Sequence, residues 1–277
     1  MKLSLSTRVA EAPRQKEKAV MGLDQLVGIA RDSGYSALCM RASQVGVQTP
    51  RDVRKAAAAS VRAAGLAVSM ITGNIDIPAN NERAGMALRA ITPFLDVADD
   101  LGSDLIRIGM KAHTDVPWAR KACDEARERG IRIAHQCHTC TLFETIEMSM
   151  QVIKDVGRQN FGIIYEPSNL LTCAQPYGPD AIRDLAPHLF NVYLQNMWNH
   201  AAGKSTIETW INGPVRFDLV PFGDPRGIDF ELVFRGLGEV GYGGYVTVHH
   251  NVADGLDVAR GVKQFADYLR SVADFEA

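Results

Sequence analysis

Short apolar runs alternate along this chain with longer segments in which apolar residues recur every three or four positions. The first pattern suits strands buried on both faces, the second suits amphipathic helices, and their alternation is the signature of a parallel sheet with crossover helices. Eight runs read as strands: "KLSLST" from residue 2, "SALCMR" from 36, "AVSMIT" from 67, "DLIRIG" from 104, "IRIAHQ" from 131, "FGIIYE" from 161, "NVYLQN" from 191 and "GYVTVHH" from 244. Helical segments fall between them, among them "GLDQLVGIARDSG", "PRDVRKAAAASVRAAG", "ALRAITPFLDVADDLG" and "LFETIEMSMQVIKDVG", and "LDVARGVKQFADYLRSV" closes the series. Several end in glycine, which tolerates the left-handed turn after a helix. Eight strand and helix pairs without a composition break predict a single (β/α)₈ TIM barrel over residues 1–277. A doubly wound open sheet is the alternative, but no Gly-rich phosphate fingerprint follows the first strand. The stretch from about 197 to 227, "MWNHAAGKSTIETWINGPVRFDLVPFGDPRG", exceeds an ordinary loop and predicts an excursion over the barrel mouth.

Composition narrows the partners. Thirty basic residues are interspersed with thirty-two acidic ones, for a net charge of −2. With no basic block, neither nucleic acid nor an anionic membrane is an expected partner. No apolar run approaches a membrane span, and "MKLSLSTRVAEAPRQKEK" lacks the apolar stretch of a signal peptide, so a cytoplasmic protein is expected. Five cysteines fit a reducing compartment better than a disulfide framework. The expected partner is a small molecule, with self-association into a homo-oligomer left open.

A barrel places its chemistry at the C-terminal ends of the strands. Gln136 and His138 end the fifth strand, Glu166 the sixth, Gln195 and Asn196 the seventh, and His249 and His250 the eighth. Strand alternation puts Gln136 and His138 on one face, and it turns His249 inward because Val246 and Val248 suit the helix-packed exterior. A carboxylate, imidazoles and amide oxygens converging in this way are a donor set for a divalent ion such as Mn²⁺, Mg²⁺, Co²⁺ or Zn²⁺. The plainer alternative for each histidine is a hydrogen-bonded residue of the core.

The segments "HQCHTCTLFET", "GIIYEPSNLL", "HLFNVYLQN" and "GIDFELVFRGLGEVGYGGYVTVHH" resemble the xylose isomerase-like barrels, a family of sugar isomerases and epimerases, inosose dehydratases and endonuclease IV-type repair enzymes. The resemblance covers nearly the whole chain. It implies a metal held by Gln136, Glu166, Tyr193 or Gln195, and His249, with Mn²⁺ the first expectation. It also implies proton transfer by groups flanking the metal. Here the first acid of the family pattern is an amide, the second is Glu in place of Asp, and the last Glu is a histidine. His138 and His249 are therefore the catalytic candidates, since a neutral imidazole can act as a base.

The "CHTC" portion has no second cysteine pair to complete a zinc site, so it reads as small residues in the turn after the fifth strand. Arg41, Arg107, Lys204 and Arg216 are candidates to reach substrate oxygens, although each also suits an ion-paired surface. Trp198 and Trp210 could wall a sugar ring or form an apolar lid, and Glu208 is a weaker candidate acid. The expected activity is a divalent-metal-dependent isomerase or epimerase that abstracts a proton next to the carbonyl of a sugar or keto-sugar. The alternatives are a lyase, eliminating from a 3-keto-glycoside or dehydrating a keto-polyol, and a non-catalytic partner subunit with a degenerate metal site.

Overall fold

Every expected strand forms. They are β1 (Lys2–Ser6), β2 (Ala37–Met40), β3 (Ala67–Ile71), β4 (Leu105–Ile108), β5 (Arg132–Gln136), β6 (Phe161–Tyr165), β7 (Leu189–Leu194) and β8 (Tyr245–Val248). The computed structural model describes residues 1–12, 15–253 and 255–276. All eight strands pair in parallel with their sequence neighbours, and β8 returns to β1, with Ser4 opposite Thr247, to close the barrel. Closure leaves no exposed edge in this sheet.

The outer helices are α1 (Leu23–Asp32), α2 (Arg51–Ala63), α3 (Thr92–Leu101), α4 (Val116–Glu128), α5 (Ile146–Val156), α6 (Pro179–Leu185), α7 (Phe230–Glu239) and α8 (Val258–Val272). Their starts are chemically marked. Thr145, Asp229 and Asp257 each accept a backbone N–H of the first turn of α5, α7 and α8. Gly102 ends α3 at φ +70°, the left-handed cap expected of glycine. The helix expected from Ala87 begins only at Thr92, because Pro93 cannot supply the N–H of a continuing turn. Residues Ala84–Arg89 form a separate 3₁₀ turn instead.

Side-chain alternation builds two cores. Leu3, Leu5, Val192, Val246 and Val248 point outward to the helices, within the larger apolar cluster. Cys39, Met70, Leu105, Ala134, Ile164 and Tyr193 fill the barrel interior. Around them lie polar side chains, several of them paired with one another. Ser4 Oγ meets Ser69 Oγ at 2.7 Å, Thr247 Oγ1 donates to Asn191 Oδ1 at 3.0 Å, and Tyr193 Oη lies 3.1 Å from Cys39 Sγ.

Beyond β7 the excursion folds as a small antiparallel sheet of Met197–Asn199, Gly213–Leu219 and Ser205–Thr209 in that spatial order. A second short hairpin, Glu11–Ala12 with Gln15–Ala19, follows β1. No helix among the described residues is long and apolar enough to cross a membrane.

Candidate active site

Strand alternation carries Gln136, His138, Gln195 and His249 to one place. All four line a small throat of about 40 Å³ at the C-terminal end of the barrel. His138 and Gln195 also line the mouth cavity above it, of about 1030 Å³. Tyr193, the other seventh-strand candidate, is one inward position deeper and belongs to the barrel interior.

Glu166 sits behind this throat, fully buried. Its carboxylate accepts from Gln136 Nε2, from Gln195 Nε2 and from Asn169 Nδ2, the last at 2.9 Å. Burial pushes the carboxyl up to about 7, against the opposing pull of the Gln195 amide and of Arg107 and Arg8. Asn169 comes from the short helix Pro167–Thr172 that follows β6, and it also donates to Cys137 O at 2.8 Å.

The two histidines are held neutral. His138 Nδ1 lies 3.0 Å from Thr139 O, which can only accept, and 3.3 Å from Asn80 Nδ2, which can only donate; the shorter contact corresponds to the tautomer with the ring proton on Nδ1 and the lone pair on Nε2. Burial, reinforced by Arg107, pushes this imidazole down to about 3. His249 Nδ1 lies 3.1 Å from Ser6 Oγ, and its ring stacks on Tyr193 with centroids 4.1 Å apart. Burial holds it well below the ordinary histidine range, with Arg8, Arg41 and Arg107 adding to the effect.

Cations ring the throat: Arg8, Lys16, Arg41 and Arg107. Arg8 lies in the 3₁₀ turn Thr7–Ala10 after β1 and donates to Gln195 Oε1 at 3.0 Å, His249 O at 3.2 Å and Asn251 Oδ1 at 2.9 Å. Lys16 has an exposed stem, and its ammonium donates to Pro78 O at 2.7 Å. Arg41 grips Glu11 through two bonds of 2.6 and 2.9 Å. Arg107 lies over the Tyr193 ring, 5.8 Å from its centroid. Sequence reasoning missed Arg8 and Lys16. Both fall in a polar stretch without periodicity, and only the proximity of Arg8 to the end of the first strand pointed to it.

A family model for the xylose isomerase-like TIM barrel matches residues 27–272. The chain belongs to that family. Three solved structures illustrate its fold. The probable 3-DHS dehydratase AsbF of Bacillus anthracis superposes with a TM-score of 0.73 at 14% identity, covering 98% of this chain and 99% of that one. A xylose isomerase-like TIM barrel protein from Mycobacterium smegmatis, in complex with magnesium, gives 0.71 at 16% identity, covering 98% and 97%. D-psicose 3-epimerase from Clostridium cellulolyticum H10, with D-tagatose, gives 0.68 at 14% identity, covering 98% and 99%. No curated protein matches the sequence.

The xylose isomerase-like fold raises the question of a divalent ion, and the donor set of this chain does not fit one. Glu166 is the single carboxylate among Gln136, Glu166, Gln195 and His249, and three amide N–H groups already point at it. Gln195 Oε1 is turned away to Arg8. Four positive side chains surround the place where a cation would have to sit. Among the described residues, no group of three His, Cys, Asp or Glu is arranged to hold a metal. Gln136 Oε1, buried without a hydrogen-bond partner among the described residues, and His249 add only neutral donors, so the set offers one carboxylate charge against four cations, whereas hard divalent ions are held by several anionic oxygens.

The small sheet forms one wall of the mouth. Met197, Ser205, Ile207, Phe217 and Leu219 face the cavity. Register places Leu219 opposite Met197 and Phe217 opposite Ser205, so the alternate residues Trp198 and Arg216 turn to the other face. There Trp198 stacks on His200 at 3.6 Å and lies 4.5 Å from the Arg226 guanidinium, while Arg216 Nε donates to Gly203 O. Lys204 is exposed, its backbone N–H bonded to Asp218. Trp198, Lys204 and Arg216 thus lie apart from the lining residues, whereas Trp210 and Glu208 line the mouth.

The turn after β5 ties this sheet down. Glu144, buried, accepts the backbone N–H of Cys140 at 2.9 Å, of Trp210 at 2.8 and 3.0 Å, and of Ile211 at 3.2 Å. Cys137 packs in the outer core and Cys140 adopts φ +52° in the turn. The cysteines are free thiols.

Proposed function

We propose that this xylose isomerase-like barrel is an isomerase, epimerase or lyase that removes a proton next to the carbonyl of a sugar or keto-sugar. One observation carries the reading: a neutral imidazole, His138, stands at the junction of mouth and throat among four cations. In the step we propose, His138 Nε2 takes the proton from carbon, and the bonding pair moves onto the carbonyl oxygen as an enolate. Arg8 and Lys16 line the same space and would stabilise that negative charge as it develops. Reprotonation at carbon gives an isomer or epimer, and loss of a substituent from the β-carbon gives an unsaturated product. No step is routed through a metal ion, because the donor set opposes one.

Elimination is favoured as the second reading by Gln136. This amide stands where the resemblance implies an acid and cannot accept a proton, so the throat offers no carboxylate pair for two-base exchange. The solved relatives span both outcomes, since one is a 3-epimerase and another a probable dehydratase.

Incubation with keto-sugars in D₂O tests the proposal. Deuterium at the carbon next to the carbonyl is expected, with new unsaturation if the enzyme is a lyase, and both should be lost in His138→Ala. Full exchange in His138→Ala would remove the proposed base.

A further inference from the structure

The charges around the throat do not balance. Arg8, Lys16, Arg41 and Arg107 carry four positive charges, and Glu11 and Glu166 carry at most two negative ones, leaving at least two positive charges in excess. Arg41 is satisfied by its two bonds to Glu11. Arg8 bonds only to neutral oxygens, and Lys16 to a backbone carbonyl. Arg107 is nearly as buried as Arg41. It is 4% accessible, and its Nε is buried with no hydrogen-bond partner among the described residues. Glu166 interacts with this guanidinium by charge but gives it no hydrogen bond, and a buried guanidinium N–H without an acceptor is costly, so a fold that holds one beside a cavity is built for an anion arriving from outside.

The size of the throat restricts that anion. About 40 Å³ is room for roughly three water-sized groups. A carboxylate has one carbon and two oxygens, and its planar oxygens match the fork of a guanidinium. A phosphate, with four oxygens around phosphorus, needs more space.

We propose that the throat binds the carboxylate of an acidic substrate, a sugar acid or keto-acid of the polyol class, with Arg107 as its principal partner and Arg8 and Lys16 completing the positive rim. The substrate's negative group then occupies the region that a divalent cation fills in the ligand pattern implied by the family resemblance. The carboxylate site stands on charge and size alone, whereas the carbonyl of the same substrate rests on the reaction proposed above.

The test is a calorimetric titration of the purified protein with tartrate, D-glucuronate, D-glucose, inorganic phosphate and Mn²⁺, paired with thermal melts. Tartrate or D-glucuronate should bind and raise the melting temperature, and D-glucose should not. Arg107→Met keeps the side-chain volume and relieves the buried charge, and should weaken carboxylate binding roughly 10- to 100-fold. Arg8→Gln, read in the same titration, gives an independent second variant. The proposal is overturned if D-glucose binds as well as D-glucuronate, if phosphate binds and neither carboxylate does, or if Mn²⁺ raises the melting temperature reversibly with chelator. Solvent deuterium exchange separates the two readings. Carboxylate binding without exchange on any keto-acid sinks the reaction alone, and exchange on neutral keto-sugars without carboxylate binding sinks the anion site alone.

Discussion

Arg8 and Gln195 lock each other at the barrel mouth: the guanidinium Nη1 donates to Gln195 Oε1 at 3.0 Å. Because the amide oxygen is taken by Arg8, its NH₂ is turned to Glu166. One arginine therefore sets which face of a glutamine the carboxylate sees, and on the proposal above it helps set the sign of the charge the throat accepts.

If so, the cation preference can be restored. Arg8→Ala removes one positive charge and releases Gln195, and Gln136→Glu adds a carboxylate beside Glu166. The double variant should bind Mn²⁺ roughly tenfold or more tighter than the wild type, as added ligand charge raises affinity for hard cations. Titration followed by the electron paramagnetic resonance of free Mn²⁺ measures it. Equal binding by the two proteins would show that the amide and guanidinium do not decide the sign.

His138→Ala should reduce turnover or deuterium exchange by about 10²- to 10⁴-fold, the usual contribution of a general base. His138→Gln, which retains a polar group of similar reach but no basic nitrogen, should fare no better. Folding is checked by melting temperature. A variant that keeps its rate would leave the proton without an acceptor.

Lys16 gives the pH dependence. Enclosure of its ammonium, with Arg8, Arg41 and Arg107 adding repulsion, brings it down to about 8. The charge is present below that value and lost above it, so affinity for tartrate should fall as pH rises from 7 to 9. Lys16→Gln should flatten the profile. The stability effect has the opposite sense: above about 8 the unfolded chain binds the extra proton, so folding gains from rising pH until the ordinary lysine range is reached. A tartrate affinity that is constant from pH 7 to 9 would remove Lys16 from the rim.

Gly227 tests the anchoring of the excursion. A Cβ there would lie 1.9 Å from Asn196 Oδ1, the atom that accepts the Ile228 N–H at 2.7 Å. Asn196 Nδ2 in turn donates to Pro221 O at 2.7 Å. Gly227→Ala should therefore cost about 1–3 kcal/mol by overpacking, read by urea denaturation. A change within a few tenths would show that the loop moves aside freely.

Glu144→Ala withdraws the acceptor shared by three backbone N–H groups. The turn carrying Trp210 should become a site of limited proteolysis while the barrel stays intact. Glu144→Gln, which retains an acceptor oxygen, should be cut more slowly than Glu144→Ala. Protease resistance equal to wild type in Glu144→Ala would show that the contact holds nothing.

Much of the barrel was legible because strands buried on both faces leave continuous apolar runs, and parity carried Gln136, His138 and His249 to one throat. The excursion was harder. Its length was visible, but the register of its small sheet was not, and one residue of parity separates Trp198 and Arg216 from the cavity-facing Met197 and Phe217. Arg8 and Lys16 were invisible for another reason. They act through charge across the barrel, which leaves no period in the sequence, and lysines within "RQKEK" look like any solvated stretch. The donor set was not legible either, since whether a glutamine offers oxygen or NH₂ is settled by a neighbour distant in the chain.

The segment after β1 supplies Arg8, Glu11 and Lys16 together, while His138 belongs to the turn after β5. On the proposals above, the outer rim of the anion site and the base thus lie on separate modules at opposite ends of the first half of the chain, with Arg107 on β4 between them. Such a division would let mutation tune the charge of the rim by rewriting one segment, without disturbing Arg107 or the base. Grafting that segment between sister barrels is a direct route to new specificity.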